Sequence, residues 1–268
     1  MSVYSINGNL AGDIADYFAD NMELDYEFDS ASNANYTVLR IYRDRINGSK
    51  QFPFVYAPNG VNAGTQSTLQ MNLQKGFYVA INSGVFYTDS SRAQKPHGLV
   101  IQSGVLIQQG TTDYPHFSLT IDSNGDLSYA LPDADGATLI QNGIISAVNA
   151  WSPIIINYDD ADLVLSNTWG DTSNAQRQII GQFGNGDYAI VTCEGRNYDH
   201  SDGWTIAEAK TVCKKIGLKY AHNLDGGGST ETVIGKKQIN TIYEGTYGRV
   251  VPTYIVFNGS DTFSVPNA

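Results

Sequence analysis

Basic residues are scarce in this chain: 16 lysines and arginines stand against 27 aspartates and glutamates, for a formal charge of −11. An acidic surface repels phosphate backbones, so no nucleic-acid partner is expected, and any phosphate-bearing ligand must be met by a few locally placed arginines. Cysteine is nearly absent, with Cys193 and Cys213 alone among 268 residues. Their spacing fits no zinc pattern and nothing points to an oxidising compartment, so both are expected as buried free thiols. No apolar run reaches the roughly 18 residues that read as a membrane span, so no membrane role is expected. The opening Met1–Asn7 shows no basic region followed by an apolar stretch, so no signal peptide is read, and a cytoplasmic or virion-associated location is the expectation. There is no Gly-x-Ser-x-Gly elbow and no Walker loop. His97, His116, His200 and His222 lack metal-ligand spacing, and Asp159, Asp160 and Asp162 lack the flanks of a calcium loop, so neither metal nor cofactor is expected. Gly184-Asn185-Gly186-Asp187-Tyr188-Ala189 loosely matches a dinucleotide fingerprint, but a strand pattern follows where a helix is required, which makes it a hairpin turn.

What the chain does have is turn chemistry and short apolar runs. It carries 27 glycines and 17 tyrosines, with 41% hydrophobic residues, enough to bury a sizeable core. Leu99–Gln102 and Val105–Ile107 flank Ser103-Gly104, Phe117–Ile121 turns through Asn124-Gly125 into Leu127–Tyr129, and Gln178–Ile180 and Tyr188–Val191 flank Gly184–Gly186. Each is a hairpin signal. Further strands are expected at 36–43, 52–57, 76–81, 153–157, 231–234 and 250–257. Two helices are expected. Residues 10–20 set Leu10, Ile14, Tyr17 and Phe18 on one face. Residues 205–216 open with the capping box Thr205-Ile206-Ala207-Glu208, repeat apolar residues at helical spacing and stop at Gly217. The expected fold is α+β, with β-rich mixed sheets packed with a few helices. The polar stretch Asp29–Asn35 divides an N-terminal helical segment, 1–35, from a main domain, 36–268.

The most informative segment is Asn223-Leu224-Asp225-Gly226-Gly227-Gly228-Ser229-Thr230. Three consecutive glycines carry an entropic penalty, which points to a tight turn or a close approach to a ligand. Successive amides in such a turn form an anion nest. Asp225 stands where a strand ends, and Ser229 and Thr230 add hydroxyl donors. A glycine-rich hairpin whose aspartate only caps the turn accounts for the same residues.

The block also resembles the phosphodiester glycosidase family, to which the N-acetylglucosamine-1-phosphodiester α-N-acetylglucosaminidase of animals belongs. The likeness runs in ordered pieces over about residues 36–257. Ala80–Phe86 is similar to the family's Asn-Gly-Gly-Phe-Phe signature, with Ser83 and Val85 in place of a glycine and a phenylalanine. Lys95–Ile101 follows. Arg177-Gln178-Ile179-Ile180-Gly181 resembles an Arg-Thr-Ala-Ile-Gly strand. Glu194-Gly195-Arg196 resembles Asp-Gly-Arg, with glutamate for aspartate, and Ser201–Thr205 resembles a Ser-x-Gly-x-Thr segment. Glu208, Gly217, the Asn223–Thr230 block, Asn240 and Arg249 complete the series. The ordered set is more specific than any piece of it.

The resemblance implies hydrolysis of a sugar–phosphate linkage, with a phosphorylated glycan or sugar-1-phosphodiester as substrate. Such chemistry needs a carboxylate beside an oxocarbenium-like transition state and cations for the departing phosphate. Asp225 is the expected carboxylate, with Glu208 as a second candidate whose capping-box position already explains it. Arg177 and Arg249 are expected to hold the phosphate, Arg196 less centrally, aided by the amides of Gly226, Gly227 and Gly228. Asn82, Asn223 and Ser229 are expected to bind sugar hydroxyls. The alternative is a non-catalytic carbohydrate-binding or virion structural module, tail or baseplate, with virion partners, which the Tyr, Asn, Asp and Gly richness also suits.

Overall fold

The structure is a computed structural model that describes residues 21–43, 52–60, 64, 66–88, 94–110, 116–163, 172–196, 200–242 and 248–257. Three sheets and three helices account for most of them. The first sheet has seven strands in the order β1 (Met22–Asp29), β2 (Ala34–Ile41), β13 (Tyr188–Cys193), β12 (Arg177–Phe183), β14 (Leu218–Asn223), β10 (Ser152–Ile156), β11 (Asp159–Asp160). The second runs β16 (Lys237–Gln238), β15 (Thr232–Ile234), β4 (Val79–Asn82), β17 (Tyr254–Phe257), β3 (Pro53–Tyr56). The third runs β6 (Val105–Gln108), β5 (Val100–Gln102), β9 (Ile144–Asn149), β7 (Ser118–Asp122), β8 (Leu127–Ala130). Pairings within all three are antiparallel, a sense that alternation along single strands does not reveal.

Alternation explains why so many strands are apolar throughout. In β12, Ile180 points into a core shared by all three sheets, beside Leu39, Ile81, Leu119, Ile190 and Ile255. Its neighbour Ile179 points the other way, into a second core with Trp204, Ala209, Val212 and Cys213 under helix α3 (Ile206–Lys215). A strand buried on both faces reads as a continuous apolar run. Helix α1 (Thr68–Lys75) covers the outer face of the second sheet through Met71, and α2 (Gly136–Gln141) covers the third. Both cysteines are buried free thiols, and burial pushes Cys213 up to about 12.

The hairpins at 99–107, 117–129 and 178–191 form as their turn residues indicate. The α3 capping box forms in both directions, and Gly217 takes the left-handed conformation expected of it (φ 84°). Residues 22–29, inside the stretch expected to be helical, are instead strand β1, paired with β2 along its whole length. Met22 and Leu24 alternate into the shared core while Glu23 and Asp25 face solvent, a period of two rather than 3.6. Asp29–Asn33 is thus a hairpin turn within the first sheet, and the helix expected over 10–20 lies outside the described residues. Helix α1 escaped the sequence reading, although Ser67 and Gln70 form a capping box and Gly76 ends it at φ 75°.

Candidate functional site

Asp225 stands where the ends of strands from all three sheets converge. Its amide donates to Ser83 O (2.9 Å), just past β4 in the second sheet. The Trp151 amide, in the link from β9 of the third sheet to β10 of the first, donates to Asn223 O (3.2 Å). Residues 223–225 themselves continue β14. The glycines after Asp225 let the chain turn sharply into a single 3₁₀ turn, Gly227–Ser229. A Cβ on Gly226 would lie 2.6 Å from Gln176 O, so only glycine lets the loop lie against β12. Gly227 has φ 56°, and a Cβ there would lie 2.8 Å from Arg196 Nη2.

The carboxyl group of Asp225 is only partly exposed and is densely surrounded. Loss of hydration lifts it from 3.8 to about 6, against the opposing pull of the Ser229 hydroxyl, the Arg249 guanidinium, the Gly226 amide and the Trp151 indole N–H. A lift of that size corresponds to roughly 3 kcal/mol disfavouring the ionised form. Arg249 Nη1 also donates to Ser229 Oγ (3.2 Å), so acid, hydroxyl and guanidinium form one connected group. Arg196, exposed and itself at φ 59°, brings a second guanidinium to the far side of the glycine loop.

Other expected residues are elsewhere or otherwise engaged. Arg177 shares a face of β12 with Ile179, toward α3, and donates Nε to Trp204 O and Nη2 to Ser173 O, both at 2.8 Å. The cation that acts on the Asp225 carboxylate is Arg249, and Arg177 instead ties the approach to β12 to the start of α3. Glu208 Oε2 accepts from the Thr205 amide (2.7 Å) and hydroxyl (2.8 Å), the capping alternative already visible in sequence. Asn82 is 1% exposed and uses its side chain as a brace, donating to Asp225 O (2.7 Å) and accepting from the Glu231 amide (3.0 Å). It fixes both ends of the glycine loop rather than facing outward. The Gly226 amide is spent on the Asp225 carboxylate and that of Gly227 on Gln176 O (2.9 Å), which leaves the anion-nest expectation to Gly228. Asn223 is buried beside Asp225, and its Oδ1 accepts no hydrogen bond.

Two neighbours were not legible beforehand. Trp151 reaches Asp225 from a link between sheets, with no motif around it. Glu231, directly after the loop, is 2% exposed and accepts from the amides of Thr68 (2.8 Å) and Leu69 (3.1 Å) at the start of α1. Burial pushes its carboxyl to about 7. It also lies against Gly248, where a Cβ would sit 2.8 Å from Glu231 Oε2, and so backs the segment that carries Arg249. A separate cavity of about 470 Å³, lined by Tyr129, Phe183, Lys219 and Tyr220 among others, opens by the β12–β13 hairpin and includes none of the expected site residues. Among the described residues no group of three or more His, Cys, Asp or Glu is placed to hold a metal ion, and Asp160 instead pairs with Lys214 (2.8 Å). No described helix is long and apolar enough to cross a membrane.

The profile of the phosphodiester glycosidase family matches residues 75–258. The catalytic domain of zebrafish N-acetylglucosamine-1-phosphodiester α-N-acetylglucosaminidase, auto-inhibited by its pro-peptide, superposes with a TM-score of 0.67 at 15% identity, covering 89% of this chain and 82% of that one. A hypothetical protein from Synechocystis gives a TM-score of 0.65 at 14% identity (88% and 61% covered). At these identities the likeness is one of fold. In sequence, the chain is 28% identical over 199 residues to an uncharacterized SPbeta prophage-derived protein, YomE, of Bacillus subtilis. The match takes in 71% of this chain but only 29% of that relative's length.

Proposed function

The chain belongs to the phosphodiester glycosidase family, and from that premise we propose that it hydrolyses the bond between an anomeric carbon and the phosphate of a sugar-1-phosphodiester. The C1–O bond breaks, its electron pair leaves with the phosphate, and water supplies hydroxyl to C1. The products are a free sugar and a phosphomonoester. Phosphate is a good leaving group, so the reaction depends less on an acid than on stabilising charge at both ends of the breaking bond.

The observation that carries this reading is the connected group Asp225–Ser229–Arg249. A carboxyl at about 6 is mostly ionised at neutral pH, yet basic enough to take a proton from the attacking water. Its negative charge also faces the positive charge that develops at C1. Arg249, one hydroxyl away, is placed to receive the departing phosphate oxygens, and a guanidinium fork matches two of them. Arg196 offers a second fork across Gly227. The substrate is thereby a phosphorylated glycan, and a wall polymer linked through sugar-1-phosphate units fits as well as a small diester. The test is to incubate the purified chain with a panel of sugar-1-phosphodiesters and assay free sugar together with phosphomonoester. Both are expected to accumulate in step, and neither with Asp225→Asn. Turnover undiminished in a folded Asp225→Asn protein refutes the assignment.

The prophage-derived relative supports a second reading, a glycan-binding module of a phage particle that carries the fold without the reaction. Such a module binds glycan and releases neither product. The Asp225–Arg249 arrangement favours the enzyme, because a binding module has no need of a carboxylate held at such a penalty.

A further inference from the structure

The cavity of about 470 Å³ by the β12–β13 hairpin plays no part in the reading above. It lies at the other end of the first sheet from the acid. Lys219 stands at the start of β14 and Asp225 just past its end, roughly 20 Å apart along the strand direction. The cavity is framed by polar cross-links between hairpins. Gln182, 6% exposed, accepts from the Leu127 amide (3.0 Å) and donates to Gly186 O (3.3 Å), which ties β8 to the β12–β13 turn. Arg43 pairs with Asp126 (2.7 Å) and donates to Asn124 O in the β7–β8 turn. Beside them, the β10–β11 turn holds Asn157 and Tyr158 at φ 52° and 73°, and the Tyr158 hydroxyl lies so close to Gly184 that no Cβ fits there. A tyrosine in left-handed backbone is strained, and such strain persists only where the surrounding structure holds it. Three hairpins thus keep open a space of small-ligand size.

The walls differ from this frame. The side-chain polar groups of Ser128, Tyr129, Asn157 and Lys219 all line the cavity, and none makes a hydrogen bond or ion pair among the described residues. Of the three charged side chains around it, Arg43 and Asp126 offset each other, so Lys219 leaves the cavity one net positive charge on a chain of −11. The half-buried rings of Tyr129 and Phe183 stand among these groups. A pyranose offers an apolar face to such rings and hydroxyls to amide and hydroxyl partners, and an unpaired ammonium suits a phosphate. We propose that this cavity is a second binding site, for a pyranose that carries a phosphate, and that it holds one repeat of a glycosyl-phosphate polymer while Asp225 acts on another. The choice of ligand rests on the proposed reaction. A polymer caught at the cavity meets Asp225 at raised local concentration, an advantage denied to a small diester that cannot touch both places.

The test measures binding and turnover separately on the intact chain. N-acetylglucosamine 1-phosphate, methyl N-acetylglucosaminide and inorganic phosphate are titrated into ¹⁵N-labelled Arg249→Ala protein, in which the Asp225 site is weakened, with and without Lys219→Ala. The sugar phosphate is expected to shift the amides of Asn157, Gly184, Asn185, Gly186 and Lys219, and the glycoside and inorganic phosphate to bind about tenfold more weakly. Lys219→Ala is expected to weaken sugar-phosphate binding by about tenfold. Shifts confined to the Asp225 loop, inorganic phosphate binding as tightly as the sugar phosphate, or an affinity unchanged by Lys219→Ala overturns the proposal. Turnover is then followed on poly(N-acetylglucosamine 1-phosphate) and on a small diester, with Arg249 intact. Lys219→Ala is expected to raise the ratio of the polymer's KM to the diester's by about tenfold. If the sugar phosphate binds at the cavity as stated but neither substrate is cleaved, the second site stands and the proposed reaction falls. If both are cleaved while binding and the KM ratio ignore Lys219→Ala, the reaction stands and the second site falls.

Discussion

The Asp225 loop and the start of α3 hold similar residue types in opposite conditions. At the start of α3, Thr205 and Glu208 cap each other and Arg177 donates to the nearby Trp204 and Ser173 carbonyls, so these side chains have a structural purpose. Around Asp225 the balance is left open. Burial pushes a carboxyl up to about 6, Asn223 Oδ1 and Thr230 Oγ1 are buried without partners, and Gly227 and Arg196 both take left-handed backbone. An acid and an arginine in one sequence series are therefore weak evidence of chemistry. A local free-energy penalty that the rest of the fold offsets is stronger evidence.

The comparison breaks most sharply at the acid itself. Asp225→Asn is expected to lower kcat/KM on a sugar-1-phosphodiester by about 10³-fold, and Arg249→Ala by about 10²-fold, measured at saturating and sub-saturating substrate. Arg177→Ala is expected to act on stability instead, by about 2 kcal/mol in urea unfolding, because it takes the charged donor from the buried Trp204 carbonyl and releases Ser173 O. Its turnover per folded molecule should fall far less than that of Arg249→Ala, and the reverse order would return Arg177 to the site. The stability effect of Asp225→Asn should depend on pH. The folded-state carboxyl titrates near 6 and the unfolded one near 4, so the native protein holds the proton more tightly. Wild-type stability contributed by this group is then lost as pH rises from about 4 through 6. The variant should gain relative stability across that window, up to about 2–3 kcal/mol above pH 6 and nothing below pH 4. Thr205→Ala, at the settled region, is expected to lower stability by about 1 kcal/mol and leave kcat within about twofold, checked by thermal melts alongside the diester assay.

Much of the arrangement was legible in the residues, for reasons that are local. The glycine triplet announced the turn because a Cβ on Gly226 or Gly227 would collide with Gln176 O or the Arg196 guanidinium, and the α3 capping box announced itself through Thr205 and Glu208. The hairpins followed from their turns. What stayed hidden was set by faces and distant convergence. Arg177 begins a strand whose alternation turns it toward α3, and a motif match says nothing about which way a side chain points. Trp151 and Glu231 reach the site only because three sheets end together there, and their partners lie up to 163 residues away in sequence. Strand β1 was missed because its inner residues, Met22 and Leu24, are few beside the acidic ones that face out.

The central claim is that the bond broken lies on the sugar side of the phosphate, and isotope placement reads this directly. Hydrolysis of a sugar-1-phosphodiester in ¹⁸O-enriched water, with both products analysed by mass spectrometry, is expected to place the label in the anomeric hydroxyl of the released sugar and none in the phosphomonoester. Label in the phosphate would mean attack at phosphorus, and the glycosidase account of Asp225 and Arg249 would be contradicted.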